Sequence, residues 1–450
     1  MSTRPFSSIP GPREVPFIGS IHRRLGGPLD FFVELQATYG EVVRFTLFRE
    51  KVVLFNNPEM VQEILVTKQR HFHKGRALEG ARYFLGNSLL VSEDEDHARQ
   101  RRLIQPAFHH ARIAGYARIM AQKAHEWADA RQAGETFDLV PQMNRLTLAV
   151  VGETLFGTNV ESEAQEIAES LTVIVENFNR MFLPFWRQLK RLPTQGNRAL
   201  AAAQKKLDST VYRIISRRRE EGGDRGDLLS MLLAAEDTEN PQKRLTDTEV
   251  RDQALTLFLA GHETTANALS WTWYLLSQHE PVRLKMRAEL ETVLGPDRLP
   301  GLEDMPRLPY TRAVFAESMR LYPPAWVVGR RAMDDVTIGN YAVPKRTIVV
   351  VSQYLIHRDP RFWPNPEAFQ PERWLDETAR AAQPKFAYFP FGGGARSCIG
   401  ESFAWAEGVI LLAVIARRWR FERISTGAVS IRASVTLRPK SGLKMIVREA

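Results

Sequence analysis

Cysteine is almost missing from this chain: Cys398 is the one thiol among 450 residues. That scarcity excludes an internal disulfide and any zinc site built on two or more thiolates, and it fits a cytoplasmic redox setting. Gly/Ser linkers, low-complexity tracts and internal repeats are also missing, so a single domain over 1–450 is expected. The opening MSTRPFSSIPGPREVPFIG holds no apolar run of the kind a signal peptide or membrane anchor needs. Instead Pro5, Pro10, Pro12 and Pro16 make residues 1–16 a stiff, proline-rich segment. The formal charge of +9 lacks the clustering that nucleic acid demands: basic residues are scattered, and RRR at 217–219 is followed at once by two glutamates. No nucleic-acid partner is predicted, and an acidic protein partner accounts better for the charge.

What the chain does have is apolar substance, 44% of its residues, ample for a deep core. Two β-rich runs, EVVRFTLF and KVVLFNN, read as a hairpin meeting at Arg49–Glu50. Helical periodicity then dominates, predicting helices over 97–107, 111–132, 141–156, 162–182, 198–220, 226–235 and 246–277, with another ending near Leu321. Strand signals return in VTIGNYAVPKRTIVVVSQY and in the C-terminal VTLRPKSGLKMIVRE. The expected fold class is mainly α with a smaller β portion. The longest apolar helix contains LTLFLAGHETTANALSWTWYLL, long enough for a membrane span. His262, Glu263, Thr264, Thr265 and Asn267 stand at its middle, however, where lipid penalises them. A helix apolar on most faces with a polar centre reads instead as buried and lining a site.

The lone thiol sits in FPFGGGARSCIG, residues 389–400. A solitary cysteine is usually a small buried hydrophobe. Here Gly392, Gly393 and Gly394 permit close backbone approaches that side chains forbid, and the helix predicted after Cys398 directs its positive end toward the sulfur. Such a thiolate is either a nucleophile or a metal ligand. No histidine is marked out as a general base for it, His357 and His97 being merely available, and no Gly-Lys-Ser/Thr follows the glycines to make a phosphate loop. Ligation is the stronger reading.

Phe391, Gly394, Arg396, Cys398 and Gly400 reproduce in full the Phe-x-x-Gly-x-Arg-x-Cys-x-Gly loop of the cytochrome P450 family, which this chain resembles. ESMR at 317–320 is similar to the family's Glu-x-x-Arg helix, PERW at 371–374 to its Pro-Glu-Arg segment, and AGHETT at 260–265 to its oxygen-binding helix. The PGP at 10–12 looks like its proline hinge. The resemblance implies the P450 fold, with a long central helix over a haem b, iron protoporphyrin IX, whose iron takes Cys398 as ligand. Thiolate ligation pushes electron density onto iron and favours O–O cleavage.

By the same resemblance Arg396, His97, Arg101 and Arg330 are propionate partners, with Arg331 the rival of Arg330 by one register. The family more often has tryptophan where His97 stands. Glu317 and Arg320 share a helix face, and the resemblance implies a buried structural network with Arg373. Small Ala260 and Gly261 would leave room for dioxygen, Gly261 and a back-bonding Thr264 predict a local opening of the helix, and Glu263 with Thr264 resembles the family's proton-relaying pair.

No flavin or iron–sulfur module is recognisable, so electrons from NAD(P)H are expected to arrive through a separate reductase, by way of a ferredoxin or flavodoxin. ARRWR at 416–420 and Arg99, Arg101 and Arg102 are candidates for docking it. Pocket candidates are the stretch near 72–90, Phe258, Ala325, Trp326, Val328 and Val435, with 177–186 as a lid. These apolar walls imply a lipophilic substrate, fatty-acid-like or terpenoid-like. Two alternatives remain: a non-catalytic haem protein that senses or carries a ligand, and a cysteine-nucleophile hydrolase without haem.

Overall fold

The hairpin read from EVVRFTLF and KVVLFNN forms as β1 (Val42–Leu47) against β2 (Glu50–Phe55), antiparallel with Leu47 opposite Glu50. Its turn falls on Phe48–Arg49, one residue earlier than expected, with Phe48 in the left-handed region at φ 53°. Three later strands, β3 (Phe72–Lys74), β4 (Val328–Ala332) and β5 (Ile348–Val351), extend it to a five-stranded sheet of order β1-β2-β5-β4-β3. β5 lies parallel to β2 and antiparallel to β4.

This computed structural model describes residues 1–450 apart from 1–2, 16–18, 21–26, 158–165, 168, 172, 175–176, 178–188, 190–191 and 238–239. Most of the expected helix over 162–182 and nearly all of the expected lid at 177–186 therefore lie outside the described residues. The chain forms two compact units, one of residues 1–76, 316–398 and 430–440, the other of residues 77–315, 399–429 and 441–450.

The first unit is organised by its sheet, both faces of which are covered. Alternate side chains of β2 serve the two sides: Val53 and Phe55 join Phe72, Ile338, Phe386 and Phe389, whereas Val52 and Leu54 join Phe31, Phe32, Phe45 and Trp326. Beside it, Val336–Ile338 pairs with Tyr341–Val343 across Gly339, and Ile431–Ala433 pairs with Leu437–Pro439.

The second unit is a helical assembly. The helices used below are α1 (Asp94–Ile104), α2 (His110–Asp129), α3 (Leu139–Phe156), α4 (Gln195–Glu221), α5 (Asp247–Leu276), α6 (Pro309–Leu321), whose residues from Ala316 onward belong to the first unit, and α7 (Glu401–Ala416). A full capping box starts α5, with Thr246 and Glu249 satisfying each other's backbone N–H groups. Twenty-three of its 30 residues are buried, which explains its apolar length without a membrane. Among the described residues no helix is long and apolar enough to cross one. The C-terminal Lys444–Glu449 strand does not pair with Leu437–Pro439; it lies between Trp419–Arg423 and Thr136–Asp138. The fold is mainly α with a smaller β portion, as expected from the sequence.

Among the described residues, three helices of ten or more residues went unread in the sequence: Pro28–Tyr39, Arg76–Leu85 and Glu280–Leu294. The last buries only Val282, Met286, Leu290 and Leu294, a single row four residues apart amid charge, too narrow a stripe to stand out in periodicity.

Candidate functional site

Cys398 is exposed at the end of a loop whose backbone is tightly specified. Its N–H donates to the Phe391 carbonyl at 2.9 Å, and the Gly392 N–H donates to the Phe389 carbonyl at 2.9 Å. Gly392 and Gly394 both lie at positive φ, 74° and 71°, which glycine adopts without strain. A side chain at Gly394 would overlap the Leu65 carbonyl oxygen, and one at Gly393 would come within 2.6 Å of the Phe386 ring. Two of the three glycines are thus needed for close approach to Leu65 and Phe386. Gln69 Oε1 accepts the Ala395 N–H at 2.8 Å, and Arg396 Nη1 donates to the Phe72 carbonyl at 2.8 Å. Phe391 is half-buried beside them.

Behind this loop, Glu317 and Arg320 of α6 are both completely buried. Arg320 Nε and Nη2 fork onto the two Glu317 oxygens at 2.8 Å each. The remaining guanidinium donors go to carbonyls: Nη1 to Pro366 at 2.7 Å and His357 at 2.8 Å, Nη2 to Ala368 at 3.1 Å. Glu317 also accepts from Arg373 Nε at 3.0 Å, Trp374 Nε1 at 2.9 Å and the Gln370 N–H at 3.0 Å. Both buried charges are saturated with partners, the condition under which burial is tolerated.

Beyond the accessible first turn of α5, Asp247 to Glu249, the burial breaks at one place: Leu259, Ala260, Gly261 and Thr264 are accessible while their neighbours on either side are buried. There Thr264 Oγ1 donates to the Ala260 carbonyl at 2.6 Å. The expected opening does not occur, because α5 continues unbroken through Gly261 and this back-bond is taken up within a regular helix. Gly261 has a second role that sequence did not reveal: a Cβ there would meet Val151 Cγ2 at 3.1 Å, so its smallness lets α3 pack closely. Glu263 is buried, one residue round the helix from Thr264. Its neighbour His262 is neutral, since burial lowers its pKa, and Nδ1 pairs with the Phe258 carbonyl at 3.0 Å. Glu407 of α7, also unread in the sequence, is completely buried, which pushes its carboxyl up to about 8. Its two oxygens are buried with no hydrogen-bond partner among the described residues, and at neutral pH the acid is protonated.

His97 and Arg101 stand four apart on α1 and share a face, His97 buried and Arg101 half-buried. Arg330 and Arg331 alternate on β4; Arg330 is buried, while Arg331 reaches toward Glu50 at 3.9 Å. The docking candidates are partly committed elsewhere. Arg99 pairs with Glu249, Arg417 caps the Gly295 and Pro296 carbonyls, Arg418 pairs with Asp129 and Arg420 with Glu422.

The stretch near 72–90 is pinned where it runs past α5: Asp252 accepts the Asn87 N–H at 2.8 Å, Gln253 accepts the Leu89 N–H at 2.9 Å, and Thr256 donates to Ser88 at 2.6 Å. Of the pocket candidates, Ala325 and Val435 are exposed and Val328 is half-buried. Phe258 and Trp326 are only 1% and 4% exposed and sit inside cores, Phe258 against Phe156 and Trp326 against Phe32. They stand behind accessible surface rather than forming it. Trp326 Nε1 donates to the Ser434 carbonyl at 3.0 Å, holding the loop that presents Val435.

Among the described residues no group of three His, Cys, Asp or Glu side chains is placed to hold a bare metal ion. An exposed lone thiol two residues after Arg396 instead suits a metal that brings its other ligands and anionic substituents with it, as a haem does.

A profile of the family described as Cytochrome P450 matches residues 9–446. Cyclooctatin synthase of Streptomyces melanosporofaciens is 38% identical over 97% of this chain and 95% of its own length. Cyclooctat-9-en-7-ol 5-monooxygenase of the same organism is 38% identical over 94% of this chain and 91% of its own. Among solved structures, the heme domain of cytochrome P450DA superposes with a TM-score of 0.88 at 27% identity, covering 100% of this chain and 99% of that one.

Proposed function

The chain belongs to the cytochrome P450 family and is a haem-thiolate monooxygenase, and on that premise we propose that it oxygenates a terpenoid-like substrate with Cys398 as its thiolate ligand. The haem, when bound, supplies the iron at which dioxygen is activated with external electrons. Every other task falls to the chain. Cys398 supplies the thiolate donor. Arg396, Arg330, His97 and Arg101 hold the propionates through charge-assisted bonds, and Arg330 is preferred to Arg331 because Arg331 turns toward Glu50. Residues 1–450 act as one P450 domain, in keeping with a family match that runs almost end to end.

The observation that carries the reading is Thr264: a hydroxyl with a fixed acceptor, on an accessible stretch in the middle of a buried helix. We assign it the delivery of a proton to oxygen that the external electrons have reduced, and Glu263 the supply of that proton from solvent. Ala260 gives the accessible stretch its small size. Thr264→Ala keeps haem, thiolate spectrum and substrate affinity, yet lowers product formed per reduced cofactor several-fold while hydrogen peroxide rises by the same electron count. Unchanged coupling in that variant would remove Thr264 from the mechanism.

Electrons are proposed to come from NAD(P)H through a separate reductase and a ferredoxin or flavodoxin in the cytoplasm, a redox partner and dioxygen being general requirements of the family. Among the docking candidates, the Arg99 guanidinium is engaged by Glu249. The terpenoid assignment takes precedence over a fatty acid because two relatives at 38% identity carry terpenoid chemistry in their names. Titrating the ferric protein with a panel of cyclic terpene hydrocarbons and alcohols, with fatty acids alongside, tests it. The terpenes are expected to displace the iron-bound water and shift the spin state at micromolar concentrations, about tenfold below the fatty acids; the reverse order would reassign the substrate class.

A further inference from the structure

His357 is a buried titratable group that none of these roles uses. It closes the short helix Gln353–Ile356 and is 0% exposed. Its two ends engage different parts of the first unit. The backbone carbonyl accepts from Arg320 Nη1 at 2.8 Å, while ring Nε2 accepts the Phe389 N–H at 3.0 Å. Since Nε2 is an acceptor, the ring is the neutral tautomer with its proton on Nδ1, which faces the backbone of Met319 and Arg320.

Phe389 opens the segment that ends at Cys398. Its carbonyl takes the Gly392 N–H, and two residues on, the Phe391 carbonyl takes the Cys398 N–H. The adjoining Tyr388 ring lies 5.0 Å from the imidazole, and its hydroxyl donates to the Ala316 carbonyl at 3.1 Å. One side-chain nitrogen therefore ties the start of the thiol loop to the Glu317–Arg320 network. We propose that His357 is a positioning residue for the thiolate loop, holding the Phe389 N–H through its unprotonated Nε2 and releasing it when that nitrogen takes up a proton.

This rests on the reading of Cys398 as ligand. The ring is kept neutral first by burial and then by the positive charges of Arg320 and Arg358, which together place its pKa well below 6.5. Among the described residues no carboxylate acts on the ring itself, since Glu317 is spent on Arg320, Arg373 and Trp374 and Glu367 pairs with Arg358; Tyr388 is the titratable ring against it. The sign follows. A histidine whose folded pKa is depressed contributes fully above its unfolded pKa, and that contribution falls as pH drops through the depressed value, about tenfold per pH unit in the folded-to-unfolded ratio. The hold on Phe389 is therefore intact at neutral pH and fails on the acid side.

The test uses full-length, haem-loaded protein, with the reduced carbon-monoxide spectrum followed between about pH 5 and pH 8. The parent should keep its thiolate band at neutral pH and lose it in acid. His357→Gln retains an acceptor that does not titrate in this range, so the band should survive at neutral pH with its acid midpoint moved down by about one pH unit or more. His357→Leu, of similar size without an acceptor, should lose the band at every pH. A Gln variant whose midpoint equals the parent's overturns the proposal. Hydrogen exchange in the parent needs no variant: the Phe389 amide should be strongly protected at neutral pH and lose protection in step with the band. A Phe389 amide that exchanges freely at neutral pH also overturns the proposal. A protected amide in a parent that shows no thiolate band at any pH would instead overturn the assignment of Cys398 and leave the hold of His357 standing.

Discussion

Cys398→Ala should yield a folded protein with no red-shifted carbon-monoxide band and oxygenase activity at background. The chain has no second sulfur of this kind to take over, since Cys398 is its one cysteine. Nor can His357 take its place: its Nε2 is occupied by the Phe389 N–H inside the core. Folding, by contrast, should be nearly unaffected. In the chain without haem the thiol is exposed, and the backbone bond at this residue, from its N–H to the Phe391 carbonyl, is one that alanine retains. An exposed substitution of this sort costs about 0.5 kcal/mol or less. Folding and activity should therefore separate. Compared without haem, the two proteins should melt within a degree or two of each other, whereas the haem-loaded parent should melt higher by what the bound haem adds and it alone should be active. A variant that kept the thiolate band would show that the sulfur is not the ligand.

That separation reflects what kind of information each part of the site leaves in a sequence. The thiol loop is local: five fixed residues in ten carry it, and its bonds from Phe389 to Gly392 and from Phe391 to Cys398 are short-range. The long helix is legible for a similar reason, with an apolar run begun by a Thr246–Glu249 cap. Other features depend on partners far along the chain. Gly261 reads as room for a ligand, but its packing against Val151 appears only when α3 and α5 are brought together. Arg99 reads as exposed basic surface until Glu249, 150 residues on, engages it. Trp326 and Phe258 read as pocket walls because apolar residues near a motif look alike whether they line a cavity or fill a core. His357, 32 residues from Phe389, gives no pattern at all.

Arg320→Ala should prevent the protein from accumulating in haem-loaded form. The guanidinium makes two bonds to Glu317 and three to the carbonyls of His357, Pro366 and Ala368, all from a position with no access to water. Truncation leaves those carbonyls unpaired and Glu317 with Arg373 as its one cationic partner among the described residues. Removing one member of a buried pair costs about 3–5 kcal/mol, against a total stability of about 5–15 kcal/mol for a native domain. Arg373→Ala should be milder, because its guanidinium is 13% exposed and water can replace part of what it gives. Arg320→Lys discriminates charge from geometry: an ammonium restores the charge beside Glu317 but cannot fork onto both oxygens and reach three carbonyls at once. The expected order of haem-loaded yield is parent, then Arg373→Ala, then Arg320→Lys, then Arg320→Ala at or near zero. Arg320→Ala recovered at the parent's yield and melting temperature would mean that the five bonds contribute nothing net, and the thiol loop would have to owe its position to the sheet and to Gln69 instead.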